Sequence, residues 1–184
     1  MIVSLEKQFN ALETQRKKLL SRIAGFSHEQ QNYRPAPQAW SMLQVLNHLI
    51  YAEANTVKYL DKKILAVNSI PKSGAGSRIR LFILNSALRS PFRFKAPKAA
   101  LPHQEEVYIF ENLRAEWDQV RQQMHAFLNH LDAASARKLI FRHPIAGRFN
   151  IHQTLSFIEE HIRHHEKQID RIAASSGFPT GNTR

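Results

Sequence analysis

Ile151, Leu155, Ile158, Ile162, His165, Ile169 and Ile172 follow one another in steps of four and three without a break. Only an α-helix with one buried face keeps residues at that spacing on a common side. Asn150, just before the run, is a good N-cap. A stripe this regular requires other apolar faces to cover it.

Three further segments supply them. In the first, Ile2, Leu5, Phe9, Leu12, Leu19 and Ile23 share a face, Arg16 fills its one polar gap and Gly25 ends the helix. Ser27 with Gln30 reads as a capping box for a short turn, and Tyr33–Pro37 as an extended connector. The second starts at Ser41, with Gln44 in the capping-box position. Its stripe is Leu46, Leu49, Val57, Leu60 and Ile64, with Glu53 in the polar gap. The third runs from about Glu105 to Leu131 along Val107, Phe110, Leu113, Trp117, Val120, Met124, Phe127 and Leu131. No convincing strand or internal repeat accompanies them. The expected fold is all-α, a four-helix bundle with a long crossover between the second and third helices. With 184 residues, 43% of them hydrophobic, a single domain over 1–175 is expected, followed by a frayed tail over 176–184.

The crossover, residues 69–104, holds six Pro and Gly residues around a short helix expected at Arg78–Leu88. A structureless loop of that length is unusual in a compact domain, so it should lie against the bundle, burying Ile79, Leu81, Phe82, Ile83, Leu84 and Leu88. No acidic residue occurs from Lys62 through Gln104, while lysine or arginine stands at 62, 63, 72, 78, 80, 89, 93, 95 and 98. The chain carries a formal charge of +11, which attracts nucleic acid, an acidic membrane or an acidic small molecule without choosing among them.

There is no cysteine, which removes disulfides, thiolate metal sites and a cysteine nucleophile. No apolar run is long enough to span a membrane, and the start lacks the order of a signal peptide, so a cytoplasmic protein is expected.

Ten histidines remain to be explained. His165 sits on the apolar seam of the last helix, where Ile or Leu is expected. His161 lies one turn earlier on the edge of the same face. An i, i+4 pair aims two imidazoles one way, as a metal shell requires, and imidazole suits zinc, nickel and iron-type ions. His164 forms a competing i, i+3 pair with His161 but is rotated off the seam. His48, beside Leu46 and Leu49, is the best candidate for a third ligand from another helix. Spacing alone leaves open that these are surface or satisfied core histidines. His28, His103, His125, His130, His143 and His152 fall in connectors, on polar faces or near helix ends, and of these His143 and His152 are expected nearest a pocket. Arg16 and Glu53 each interrupt an apolar stripe, which suggests a buried ion pair between them; alternatively Glu53 serves as a proton acceptor or outer carboxylate of a metal site.

Three stretches, in this order, carry a resemblance: Tyr33–Ser41 leading into Val45-Leu46-Asn47-His48-Leu49 and Glu53; Phe141-Arg142-His143-Pro144-Ile145-Ala146-Gly147-Arg148-Phe149-Asn150; and Phe157 through Ile169. Across nearly its whole length the chain resembles the DinB/YfiT-like superfamily of metalloenzymes. The resemblance implies a divalent metal, zinc or nickel foremost, held by one histidine of the second helix and two at i, i+4 on the last, here His48, His161 and His165. It implies a small-molecule substrate, a low-molecular-weight thiol cosubstrate and a homodimer. The activity so implied is transfer of the thiol to an electrophile, with metal-dependent hydrolysis of an ester or amide as the alternative. The basic, acid-free crossover departs from the family pattern. With Phe82, Phe92 and Phe94 it suggests a different class, a non-enzymatic binder of nucleic acid or an anionic surface, although no nucleic-acid motif is evident.

Overall fold

The structure is a computed structural model, described for residues 1–90 and 107–180. Phe92, Phe94, His103 and the basic residues 93, 95 and 98 of the crossover lie outside the described residues. Among those described, the chain forms α1 (Val3–Ala24), α2 (His28–Asn32), α3 (Met42–Ile64), α4 (Ala75–Arg89), α5 (Phe110–Asn129), the strands β1 (Phe141–His143) and β2 (Gly147–Phe149), and α6 (Ile151–Ala173). The fold is all-α apart from that hairpin.

Helix starts follow the chemistry of the sequence. Ser27 with Gln30, Ser41 with Gln44, and Asn150 with Gln153 each form a reciprocal capping box, satisfying donors that the first turn leaves open. The α1 and α3 helices each lie against both α5 and α6. The stripes meet in one core in which Leu5, Leu12, Ile23, Leu46, Leu49, Trp117, Ile162 and Ile169 are almost wholly buried.

Four features depart from the sequence expectation. The third long helix starts at Phe110, not Glu105: Val107 and Ile109 are exposed, Ile109 is extended, and no side chain caps the helix there. Without a cap, the helix begins at the first seam residue that the core buries. The hairpin was not expected. It pairs Phe141 with Phe149, Arg142 with Arg148 and His143 with Gly147, and its turn closes because Gly147 takes φ +84°. Phe141 and Phe149 face the core while Arg142 and Arg148 face solvent. Past α6 the chain does not fray at once. Phe178 packs edge-on against Phe26 and Tyr33, and the Pro179 carbonyl accepts from Gln30 Nε2 at 2.9 Å.

The fourth departure is the ion pair. Arg16 and Glu53 do not meet. Arg121 Nη2 donates to Glu53 Oε1 at 2.8 Å, its Nε stands 2.8 Å from Oε2, and Trp117 Nε1 donates to Oε2 at 3.0 Å. Arg16 instead pairs with Glu13 and Asp118, and Glu13 reaches Arg121 at 3.5 Å. The two buried charges are thus ends of one chain of charges through α1, α3 and α5. An arginine on α5 supplies the counter-charge that α1 was expected to give.

The described half of the crossover docks on the body, as its apolar content requires. Gln153 Nε2 donates to Ser77 Oγ at 3.1 Å, Asn85 Nδ2 to Ser156 Oγ at 3.3 Å, and Arg89 reaches Glu160 through two nitrogens at 2.9 and 2.6 Å. Burial is divided, however. Leu81, Leu84 and Leu88 pack on the core, whereas Ile79, Phe82 and Ile83 face solvent. A helix lying on one neighbour can bury only one of its faces.

Candidate metal centre

Three elements of local structure bring the histidines together. The Ser41 capping box fixes the start of α3 and so the direction of His48, two turns in. The Asn150 capping box does the same for α6. Residues 157, 161, 165 and 168 of α6 then fall along one stripe by helical spacing.

His48 Nε2 lies 3.3 Å from His161 Nε2, and His165 Nε2 lies 3.1 Å from the same atom. One ligand atom from each of the three lies within 4.8 Å of the others. His48 and His165 are buried, and His161 is half-buried, which leaves an approach to the group. Around it, Trp40 lies 5.2 Å from the His48 ring and is stacked on His165 at 6.4 Å, while Phe157 stacks on His161 at 5.4 Å.

A single Nε2 offers either one N–H or one lone pair. His161 Nε2 therefore cannot satisfy both neighbours by hydrogen bonding. A cation among the three nitrogens reconciles them. With metal–nitrogen bonds of about 2.0–2.1 Å, tetrahedral ligands stand about 3.3–3.4 Å apart, and ligands at right angles about 3.0 Å. The two separations, 3.3 and 3.1 Å, fall in that interval. The donor set thus fits a divalent ion of the type that takes neutral imidazole.

Protonation is set to match. Burial lowers the His165 pKa to about 3, aided by the charge of His48, and burial followed by the neighbouring His165 and His48 lowers His161 well below its ordinary value. Neutral imidazoles are the ligating form. Gln168 Oε1 accepts from His165 Nδ1 at 2.8 Å, so the Nε2 lone pair of His165 faces the other two rings. Replacing Gln168 with leucine frees that ring to change tautomer and should weaken zinc binding by about 10–100-fold with the fold intact, as measured by competition with a chromophoric chelator.

His164 does not join the group. Its Nδ1 is 2.8 Å from the Leu88 carbonyl, so it ties α6 to α4. Glu53 is held by Arg121 and Trp117 as described. His143 was expected near a pocket. Its ring stands edge-on to Phe157 at 4.7 Å, Phe157 in turn stacks on His161, and the His143 Nδ1 accepts from the Ile145 and Ala146 amides at 3.2 and 3.0 Å. The proton of neutral His143 therefore resides on Nε2. His152 pairs with Gln8, its Nδ1 lying 2.7 Å from Oε1, and edges a groove, as expected. Trp40, Phe157 and Gln168 were not singled out from the sequence; the i+3 relation of Gln168 to His165 was the available signal for the last.

Burial lowers the His143 pKa from 6.5 to about 4. Between those values the unfolded imidazole holds a proton that the folded one refuses. Stability of the metal-free protein is therefore full above about pH 6.5 and falls with pH down to about 4, by on the order of 3 kcal/mol from this group. Urea denaturation across that range should show the slope, and His143→Asn should reduce it.

A separate groove of about 390 Å³ runs between α4 and the start of α6, edged by Arg78, Phe82, Asn85 and His152. None of the three clustered histidines lines it.

A relative from Bacillus subtilis (strain 168), the uncharacterized protein YuaE, is 25% identical over 155 residues, covering 83% of this chain and 88% of the relative. No solved structure matches the chain significantly. The family pattern of the DinB superfamily matches residues 11–169, which include all three clustered histidines, and the chain belongs to that superfamily.

Proposed function

We propose that this protein is a cytoplasmic metal-dependent enzyme that transfers a low-molecular-weight thiol to an electrophilic small molecule. The observation that carries the reading is the convergence of His48, His161 and His165 on one point, with three imidazole nitrogens facing one another and an approach beside His161. These residues would hold a divalent ion, zinc or nickel in the first instance. When bound, such an ion supplies the positive charge that favours a thiolate over a thiol at neutral pH.

The chain's own residues do the rest. Gln168 holds His165 in its ligating tautomer. Trp40 and Phe157 wall the group with aromatic surface and limit water there. His143 presents an Nε2–H next to Phe157, a donor suited to an oxygen of the electrophile. The chain needs no cysteine, because the nucleophile arrives with the cosubstrate. Thiol transfer is preferred to hydrolysis because Glu53, the carboxylate considered as a general base, has both oxygens engaged by Arg121 and Trp117. A homodimer belongs to the same reading, as does a domain of residues 1–175 with the crossover 69–104 as its insertion. Light scattering should give a dimer at micromolar concentration.

The test is metal analysis of the purified protein, followed by a panel of thiols and electrophiles with and without chelator. Thiol-dependent turnover that chelation removes and zinc or nickel restores is the expected result. Turnover of esters or amides without thiol would establish the hydrolase instead, and turnover indifferent to chelation would overturn both.

A further inference from the structure

We propose that the outer face of α4 and the tip of the β-hairpin dock this protein on an anionic lipid surface. On α4, Ile79, Phe82 and Ile83 occupy i, i+3 and i+4 and are 60%, 73% and 61% exposed. At the hairpin tip Ile145 is 79% exposed. The two elements touch: Arg80 Nη2 donates to the Arg148 carbonyl at 3.3 Å, and the Arg80 side chain lies across Gly147, where an added Cβ would meet it at 3.3 Å. The exposed apolar groups therefore belong to adjoining elements.

The charges around them are unbalanced. Arg78, Arg80, Arg142 and Arg148 are exposed, and none has a carboxylate at ion-pair distance among the described residues. Arg16, Arg22, Arg89, Arg114, Arg121 and Arg163 all have one. Arg142 and Arg148 are moreover direct cross-strand partners, where like charges oppose pairing. An anionic ligand relieves that repulsion. No acidic residue interrupts the sequence from 62 to 104, so α4 offers such a ligand nothing to repel it.

Solvent-facing Ile and Phe beside unpaired arginine are the two ingredients of an interfacial helix: the apolar groups enter the acyl boundary while guanidinium groups stay with the phosphates. A nucleic acid would satisfy the arginines but would leave the three isoleucines in water. The lipid surface is therefore the occupant that uses both. This inference is independent of the thiol-transfer reading.

The experiment is co-sedimentation of the full chain with vesicles of phosphatidylcholine alone and of phosphatidylcholine containing phosphatidylglycerol. The wild type should pellet with the second and not the first, and added salt should weaken it. Ile79→Ser/Phe82→Ser/Ile83→Ser should lower partitioning by about tenfold or more at unchanged charge, and Arg142→Gln/Arg148→Gln should do the same. Both variants should keep the wild-type melting temperature and zinc affinity. Absence of binding to the anionic vesicles overturns the proposal. So does binding lost by the arginine variant but kept by the apolar one, with a duplex DNA oligonucleotide bound equally well, which would mark a polyanion site. An apolar variant that only converts a dimer to a monomer, with lipid binding unchanged, also overturns it and assigns the face to self-association.

Discussion

His165→Ala should lower zinc affinity by more than about 100-fold, the upper end of what losing an outer-shell partner alone does. His165 is buried, and its Nε2 lies 3.1 Å from the His161 Nε2. Alanine leaves only two imidazoles, one from each of two helices, and two ligands hold a divalent ion far less well than three. His164→Ala is the matched control. Its ring bonds the Leu88 carbonyl, so its loss should loosen α4 from α6 and leave zinc affinity within a few-fold of wild type. Competition titration with a chromophoric chelator measures both. Equal losses for the two variants would remove the geometric assignment.

Glu53→Ala should cost about 3–5 kcal/mol of folding stability, because it leaves Arg121 buried and without its main counter-charge. In a domain of this size that lowers the melting temperature by on the order of 10 °C. Arg121→Ala should cost a similar amount for the converse reason, leaving Glu53 to the Trp117 N–H alone. Replacing both at once, Glu53→Leu with Arg121→Met, should recover most of the loss, since two apolar groups of similar size incur no desolvation. Calorimetry reads the stability, and zinc titration of the folded variants should be unchanged. A Glu53→Ala protein of normal stability and reduced zinc affinity would instead make Glu53 part of the metal centre.

Those two cases show where the sequence was legible. His165 interrupts an otherwise aliphatic seam, and a seam position is by construction directed at the core, so periodicity alone aimed its ring correctly. His161 follows from the same helix because residues four apart share a face. Glu53 was equally visible as a charge on an apolar stripe, yet its partner was not. Periodicity says that a charge is buried but not which helix lies opposite, and Arg121 sits between seam residues Val120 and Met124 where a solvent-facing arginine would look the same. The hairpin escaped for a related reason. Strands of three residues give too short an alternation to register, and Gly147 reads as a loop glycine until its positive φ is seen. For α4 the composition announced apolar content but not which side would be covered. That depends on its lying on α6 through Ser77, Asn85 and Arg89, contacts with no sequence period of their own.

The central claim is that His48, His161 and His165 hold one divalent ion. Anomalous diffraction from crystals of the protein loaded with zinc tests it most directly. The account predicts a single strong peak at about 2.0–2.1 Å from all three Nε2 atoms. A peak elsewhere, or loaded crystals in which the three imidazoles still face one another with no ion among them, would contradict it.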